Sequence, residues 1–281
     1  MKSLATVVQG LSLSVLLLAI AGCAYPPAKA VTGGFIPMPR TFDARRAMMV
    51  GKVRTDILRR LPGFDDDVFE QVLAVMMKTP RERFLSRDAH DLAYLDFPLP
   101  IGFGQTISDP HIVAVMTAAV KLPPRAHVLD IGTGSGYQAA ILSPLAASVV
   151  SIEIVPQLAA AARRRLGHMG YANVSVHTGD GFLGSSAEAP YDAIIVAAGA
   201  EKPPQPLIDQ LKVGGRMVMP IGPTTAEEEL VMMTKQAGGT LNRCSLGGAS
   251  FVPLTGIGQR STAARDRDTS AIPSCFGVGI S

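Results

Sequence analysis

Three glycines in the segment DIGTGSGYQ, residues 130–138, are spaced for binding a ligand close to the backbone. Glycine lacks a Cβ, so it tolerates tight turns and a close approach of a ligand to the main chain. The segment follows the apolar run HVL, typical of a buried strand, and precedes AAIL, typical of a helix. A turn of this kind directs backbone N–H groups and a helix N-terminus towards the ligand.

The spacing of these glycines excludes two common nucleotide-binding loops. A dinucleotide-binding G-x-G-x-x-G fingerprint requires glycine at position 137, where the chain has Tyr137. A phosphate-binding P-loop requires a Gly-Lys-Ser/Thr sequence, which does not follow here. The pattern is instead G-x-G-x-G preceded by Asp130, which by itself is weak evidence for any one ligand.

Acidic residues follow the next two predicted strands and give the glycine loop its context. Glu153 ends the second strand, where a carboxylate can accept hydrogen bonds from two adjacent ribose hydroxyls. Asp180 and Gly181 end the third strand, where folds of this type hold an adenine. Two structural alternatives stay open: Glu153 could cap the helix that starts at Pro156, and Asp180 could be a turn residue. Together, the loop and the acids resemble the S-adenosylmethionine site of class I methyltransferases.

Alternating strand and helix patterns from residue 127 onwards predict the sheet that positions these residues. Seven apolar runs are typical of strands, and helical patterns such as GYQAAILSPLA and PQLAAAARRRLGHMG lie between the earlier ones. We therefore expect an α/β fold, Rossmann-like and of the class I methyltransferase type, with a seven-stranded, mostly parallel sheet and helices on both faces. The last two strands follow without a helix between them, which predicts an antiparallel edge hairpin. Two helical patterns divided by PGF predict an N-terminal helical extension.

The N-terminal residues carry a predicted export signal. Lys2 precedes the apolar stretch LSLSVLLLAIAGC, which is too short and too interrupted for a membrane-spanning helix. Its end resembles a bacterial lipobox, so residues 1–22 are predicted to be a signal peptide that is removed before a lipid-anchored Cys23. An ordinary signal peptide or a misassigned start codon stays open. The remaining segments are a linker at 23–42, the methyltransferase domain at 43–256 and a flexible tail at 257–281.

The composition is that of a globular protein. The 281 residues suffice for one large α/β domain, 47% of them are hydrophobic and the formal net charge is +3. No Lys/Arg stripe accompanies this charge, so nothing predicts a nucleic-acid partner. Three cysteines cannot make a disulfide framework: Cys23 belongs to the lipobox, Cys244 sits in a predicted strand and Cys275 in the tail. None has the spacing of metal ligands, so no metal site is predicted.

The segment PLPIGFGQTISDPHIVAVM, residues 98–116, precedes the first strand of the sheet and can fold over its ligand-binding edge. Its PIGFGQTIS-P core resembles the protein-L-isoaspartate O-methyltransferase family, and VLDIGTGSGYQAA, GGRMVMPIG and FVPLTG agree in order and spacing. The resemblance covers about residues 45–256. It implies S-adenosyl-L-methionine as the cofactor, isoaspartyl-containing peptides and proteins as substrates, and a monomer, with residues 98–111 as the substrate loop.

Residue by residue, the resemblance implies a site centred on Ser108, which matches the family's active-site serine. Thr106 and Ile107 match neighbours that line the cofactor and substrate pocket, and Thr255 matches the C-terminal edge that helps to close it. His111 matches a position beside the cofactor, although bacterial members more often carry an aromatic residue there. The cofactor-binding residues are then Asp130, Gly132, Thr133, Gly134, Gly136, Glu153, Asp180, Gly181, Thr106, Ile107 and His111. The substrate-binding residues are Thr106, Ile107, Ser108 and Thr255.

The chemistry of methyl transfer agrees with a carboxylate acceptor. The sulfonium donor is already activated, so the protein must align it with a nucleophile. A carboxylate with a pKa of about 4 is ionised at neutral pH and needs no general base. The sequence shows no obvious His/Asp pair or cysteine nucleophile beside the loop. Ser108 is then predicted to orient the carboxylate with a hydrogen bond, and the structural alternative is that Ser108 caps the helix that follows.

We therefore predict methyl esterification of the free carboxylate of L-isoaspartyl residues, which initiates the repair of damaged proteins. One alternative is a class I methyltransferase that acts on another acceptor, and another is a catalytically inactive, lipid-anchored cofactor-binding protein. The lipobox predicts a membrane-anchored periplasmic lipoprotein. The cytosolic supply of the methyl donor and the family resemblance predict a cytoplasmic enzyme instead.

Overall fold

The computed structural model describes residues 39–257 and 272–276. The predicted signal peptide, the lipobox Cys23, most of the linker and most of the tail lie outside the described residues. Within these two ranges, no helix combines the length and the apolar character needed to cross a membrane.

A seven-stranded sheet lies at the centre of the described structure. The strands of these residues are β1 Leu99–Gly102, β2 Gln105–Ile107, β3 His127–Ile131, β4 Ser148–Glu153, β5 Val174–Thr178, β6 Tyr191–Val196, β7 Leu211–Ile221, β8 Glu228–Lys235 and β9 Leu241–Ala249. β1 and β2 pair as a separate antiparallel hairpin. The other strands form one sheet in the order β5-β4-β3-β6-β7-β8-β9, parallel up to β7 and antiparallel in the β7–β8 and β8–β9 pairs. The predicted sheet and its edge hairpin are confirmed.

Helices connect the strands and precede them. The α-helices of the described residues are α1 Phe42–Arg60, α2 Asp67–Lys78, α3 Pro110–Ala119, α4 Tyr137–Leu142, α5 Pro156–His168 and α6 Gln205–Gln210. α1 and α2 are the predicted N-terminal extension. Both begin at side-chain caps, because the Thr41 hydroxyl accepts a hydrogen bond from the Ala44 N–H and the Asp66 carboxylate accepts one from the Phe69 N–H.

Apolar residues of the central strands alternate between two packed layers, one on each face of the sheet. Val128 and Val149 belong to a cluster with side chains of α1 to α5, whereas their neighbours Leu129 and Val150 belong to a second cluster with Leu207 of α6. Successive side chains of a strand point to opposite faces, so both faces of the sheet are covered. The carboxyl ends of the parallel strands remain as the edge where loops can bind a ligand.

A disulfide that was not predicted from the sequence joins Cys244 in β9 to Cys275 in the tail. The two residues are 31 positions apart, and their pairing requires the tail to return to the edge strand of the sheet. Cysteine count and local spacing carry no information about such a return, since a disulfide depends on the distance between the two backbones in the folded chain.

The described part of the tail, residues 272–276, is fixed to the rest of the structure around this bond. The Ser245 N–H donates to the Pro273 carbonyl oxygen, so the segment pairs with β9. Phe276 packs edge-on against Phe64 between α1 and α2, with the ring centroids 5.2 Å apart. These five residues therefore differ from the flexible tail that was expected.

Reduction of the disulfide should lower the stability of the protein. A cross-link between residues 31 positions apart removes unfolded-state entropy worth about 3–4 kcal/mol. We expect Cys275→Ser, and the wild type in dithiothreitol, to show the same lowered free energy of unfolding in urea. Dithiothreitol should have no further effect on the variant. Wild-type unfolding that does not respond to the reductant would contradict a stabilising cross-link.

Candidate functional site

The glycine loop connects β3 to α4 at the carboxyl edge of the sheet. Gly132, Gly134 and Gly136 have φ angles of 90°, 52° and 89°, in the left-handed region that glycine adopts without a steric penalty. The N–H groups of Gly132 and Thr133 both donate to the Ile152 carbonyl oxygen of β4. The backbone of this turn therefore requires the glycine spacing that the sequence shows.

Glu153, the last residue of β4, holds this loop in place. Its buried carboxylate accepts hydrogen bonds from the Gly134 N–H at 2.7 Å and from the Val155 N–H at 2.9 Å. Val155 is the N-cap residue of α5, so Glu153 contributes to the helix start, as the structural alternative required. Each carboxylate oxygen has more than one acceptor site, so both can still accept ribose hydroxyls. That contact stays a prediction.

Asp130 of β3 is completely buried beneath the loop. The Ser151 hydroxyl donates to Asp130 Oδ2 at 2.7 Å, and the Thr133 hydroxyl lies 2.6 Å from that of Ser151. Burial raises the pKa of Asp130 to about 7, while the hydrogen bond from Ser151 acts in the opposite direction. Asp130 Oδ1 has no partner among the described residues. The side chains of Asp130 and Thr133 thus support the loop from inside, and Oδ1 is an acceptor that lacks a donor.

Asp180, which follows β5, joins two segments at the same edge. Its Oδ1 accepts from the Phe182 N–H at 2.9 Å, the turn contact of the structural alternative, and its Oδ2 accepts from the Ile257 N–H at 2.8 Å. A Cβ on Gly181 would lie only 2.4 Å from Ile131 Cγ2, so glycine is needed for this turn to approach the end of β3. Because β5, β4 and β3 are neighbours, the three predicted acids come to one edge of the sheet.

The β1–β2 hairpin, within the predicted substrate loop, lies against the glycine loop. A Cβ built on Gly134 would be 3.1 Å from Ile101 Cδ1 and 3.9 Å from the Thr106 carbonyl oxygen. Thr106 is exposed, whereas the Ile107 side chain is buried in the core. The segment therefore folds over the ligand-binding edge, as expected from its position before β3.

Ser108 lies between β2 and α3. The N-cap of α3 is Asp109, whose carboxylate accepts from the Ile112 N–H at 2.8 Å, so the alternative that Ser108 caps this helix is wrong. The Ser108 side chain is half-buried, and its hydroxyl makes no hydrogen bond to another residue of the described chain. It is therefore a free donor next to the hairpin.

His111 occupies the first turn of α3. Burial lowers its pKa, and the charges that act on it are those of Asp109, Asp96, Arg60 and Asp56. None of these groups belongs to the glycine loop, and two of them belong to α1. These interactions do not link His111 to the cofactor loop, so its place beside the cofactor stays a prediction.

Thr255 lies in a segment that crosses the carboxyl edge. The Leu254 N–H donates to the Gly199 carbonyl oxygen just beyond β6, and the Ile257 N–H donates to Asp180 beyond β5. With both sides of Thr255 anchored, the segment passes over the strand ends between β6 and β5, where it was expected to help close the site. The role of the Thr255 side chain in substrate binding stays a prediction.

Arg165 braces the glycine loop, although no sequence pattern pointed to it. It lies in the last turn of α5, and its Nη1 donates to the Ser135 carbonyl oxygen at 2.7 Å. The adjacent Leu166 packs on the same loop, since a Cβ on Gly136 would lie 3.2 Å from its Cδ1. The run of arginines at 163–165 is typical of a solvated helix face. Successive helical residues point about 100° apart, however, so three in a row cannot share one direction.

The fold and this edge define a class I methyltransferase, with a glycine loop after the first strand of the sheet and acids after the next two. The family model for protein-L-isoaspartate(D-aspartate) O-methyltransferase matches residues 63–259. A protein-L-isoaspartate O-methyltransferase from Gloeobacter violaceus is 50% identical over 186 residues, 66% of this chain and 90% of that protein. One from Methanoculleus marisnigri is 51% identical over 187 residues, 66% of this chain and 84% of that protein. The chain belongs to the protein-L-isoaspartate O-methyltransferase family.

Solved structures share the fold. A protein-L-isoaspartate O-methyltransferase superposes with a TM-score of 0.66 at 26% identity, over 76% of this chain and 67% of that chain. A Plasmodium falciparum structure, described as a β-aspartate methyltransferase in complex with S-adenosyl-L-homocysteine, superposes with a TM-score of 0.61 at 23% identity, over 75% of this chain and 98% of that chain. Residues 272–276 lie beyond the family match, so the disulfide joins Cys244 within the matched segment to Cys275 outside it.

Arg165→Ala should weaken the binding of S-adenosyl-L-homocysteine. The variant loses a charge-assisted hydrogen bond that fixes the glycine loop, so we expect about tenfold weaker binding by calorimetry. Arg164→Ala is the matched control, because the Arg164 side chain is exposed on the same helix, and it should bind like the wild type. Equal affinities of the two variants would argue against a bracing role for Arg165.

Proposed function

We propose that this chain transfers a methyl group from S-adenosyl-L-methionine to the free carboxylate of L-isoaspartyl residues in damaged peptides and proteins, the first step of their repair. The observation that carries the proposal is the contact between the β1–β2 hairpin and the glycine loop, where Ile101 lies against Gly134. This contact supports the proposal because it holds the β1–β2 hairpin at the predicted cofactor edge. Ser108, with its free hydroxyl, directly follows that hairpin.

The described residues suit the methyl donor. Bound S-adenosyl-L-methionine supplies a sulfonium whose methyl group is already activated for displacement. Glu153 has carboxylate acceptor sites left for ribose hydroxyls, and Asp130 Oδ1 is a buried acceptor without a donor. Ile154, directly after Glu153, is 39% exposed and offers apolar surface beside the ribose position. Gly132 and Gly134 let the loop adopt left-handed backbone angles without a steric penalty.

The acceptor needs orientation and does not need a base. A carboxylate with an ordinary pKa of about 4 is ionised at neutral pH, so its nucleophilic oxygen forms without proton transfer by the protein. Ser108 donates one hydrogen bond to this carboxylate and leaves the other oxygen directed at the methyl group. The absence of a competing partner for the Ser108 hydroxyl in the described chain supports this role. Alignment of this kind is a large source of rate acceleration in displacement reactions.

Two threonines complete the proposed acceptor pocket. Thr106 is exposed at the hairpin contact, and Thr255 lies in the segment that crosses the strand ends. Their hydroxyl groups can bind the polypeptide next to the isoaspartyl residue. The Ile107 side chain is buried in the core, so its predicted contacts with the cofactor and the substrate would be made by its backbone.

Ser108→Ala should lower the turnover of an isoaspartyl peptide by about 10–100-fold. The affinity for S-adenosyl-L-homocysteine should stay within about twofold, because the lost hydrogen bond orients the acceptor and not the cofactor. Steady-state methyl transfer and calorimetry measure the two quantities. Ser86→Ala, at an exposed serine of the same region, is the control and should match the wild type. Full turnover in Ser108→Ala would remove Ser108 from the mechanism.

We further propose that the protein is exported and lipid-anchored at Cys23. The lipobox-like LAIAGC supports this location. The Cys244–Cys275 disulfide supports it independently, because disulfides persist in oxidising compartments and are rare in the cytosol. A cytoplasmic enzyme, which the supply of methyl donor favours, would keep both thiols reduced.

Cell fractionation with mass measurement tests this location. The protein should be in the membrane fraction, start at a lipidated Cys23, and resist thiol alkylation at Cys244 and Cys275 until a reductant is added. Cys23→Ser should abolish lipidation and release the protein from the membrane. A full-length chain in the cytosol with both thiols alkylated would contradict export.

A further inference from the structure

A buried arginine lies behind the proposed active-site serine. Arg81, in the turn Arg81–Phe84 after α2, is completely buried, and burial lowers its pKa. No carboxylate forms an ion pair with it among the described residues. Burying a guanidinium without a paired carboxylate is costly, so its hydrogen bonds and the charge of the nearby Asp109 carboxylate must offset that cost.

Those hydrogen bonds connect two separate segments. Arg81 Nη2 donates to the Ser108 carbonyl oxygen at 2.7 Å, and its Nε donates to the Ala93 carbonyl oxygen at 2.9 Å. Both are charge-assisted, which makes them shorter and stronger than bonds between neutral groups. Because the guanidinium is planar and rigid, the direction of the Ser108 carbonyl is fixed relative to the backbone at Ala93.

The same guanidinium contacts the element that carries the cofactor loop. Its central carbon lies 4.8 Å from the ring centroid of Tyr137, within the range of a cation–π contact. Tyr137 is the first residue of α4 and directly follows Gly136 of the glycine loop. On another side of the ring, Phe84 packs edge-on with a centroid distance of 5.3 Å. One planar group therefore touches both the Ser108 backbone and the start of α4.

We propose that Arg81 is a positioning residue for methyl transfer, which sets the Ser108 hydroxyl relative to the cofactor loop by holding the Ser108 carbonyl against Tyr137. The inference rests on the proposed function of Ser108. Because Arg81 is completely buried, it does not contact the substrate and acts on the acceptor through the Ser108 backbone. Its effect is on the alignment of the acceptor and not on the affinity for the cofactor.

Two substitutions separate the geometry of this group from its charge. Arg81→Lys keeps a cation but cannot donate in two fixed directions and stack on Tyr137 at once. Arg81→Met removes both donors and buries no charge, which guards against a variant that fails only because a buried ammonium prevents folding. Arg83→Lys is the matched control, since Arg83 is in the same turn and exposed.

The experiment measures kcat for methyl transfer to an isoaspartyl peptide. The rate is divided by the concentration of protein that binds S-adenosyl-L-homocysteine. We expect kcat to fall about 10–100-fold in both Arg81 variants, with cofactor affinity within about twofold of the wild type and the Arg83 control unchanged. Equal kcat values in Arg81→Lys and the Arg83→Lys control would overturn the inference. A loss of cofactor affinity in the Arg81 variants as large as their loss of kcat would also overturn it. A wild type that does not methylate the peptide would instead refute the proposed function.

A double-mutant cycle tests whether Arg81 acts through Ser108. The Ser108→Ala variant keeps the backbone carbonyl that Arg81 binds but has no hydroxyl to orient. Adding Arg81→Lys to it should therefore lower kcat by less than about twofold, whereas the same change in the wild type lowers it about 10–100-fold. If Arg81→Lys lowers kcat by the same factor in the Ser108→Ala variant as in the wild type, Arg81 acts independently of Ser108. That result would overturn the positioning role.

Discussion

The hydrogen bond from the Gly134 N–H to the buried carboxylate of Glu153 fixes the loop on which the site depends. It joins the turn after β3 to the end of β4, and the same carboxylate binds Val155 where α5 begins. A charged acceptor inside the protein makes such bonds strong. α5 then returns Arg165 to the loop through the Ser135 carbonyl. The loop is therefore held from the neighbouring strand and from the neighbouring helix.

The acceptor side of the site is assembled on this fixed loop by segments from distant parts of the chain. The β1–β2 hairpin brings Ile101 against Gly134, and the C-terminal segment reaches Asp180 through the Ile257 N–H. Loops of this type carry function because a rigid sheet edge positions them. Since an ionised carboxylate needs alignment rather than deprotonation, a site without a general base is sufficient for the proposed reaction.

Strand and helix periodicity predicted the sheet, its antiparallel edge and the N-terminal helices, because the central strands are buried on both faces and their apolar runs are short and regular. The glycines and the acids were also predictable, since each lies at or just beyond the carboxyl end of a strand. Three features were not. Ser108 and Asp109 are both residue types that cap helices, so the sequence alone does not decide which of them caps α3. The Cys244–Cys275 bond depends on the path of the tail. Arg81 lies 27 residues from the carbonyl it holds, so only the folded chain reveals the contact.

The central claim is that Ser108 presents the substrate carboxylate to a methyl donor held on the glycine loop. The most direct measurement is a crystal structure of the protein with S-adenosyl-L-homocysteine and an isoaspartyl peptide. The account predicts the ribose hydroxyls on Glu153, and the isoaspartyl carboxylate with one oxygen bound to the Ser108 hydroxyl and the other facing the cofactor sulfur. A carboxylate bound away from Ser108, or a cofactor that does not contact the loop between Gly132 and Gly136, would contradict it.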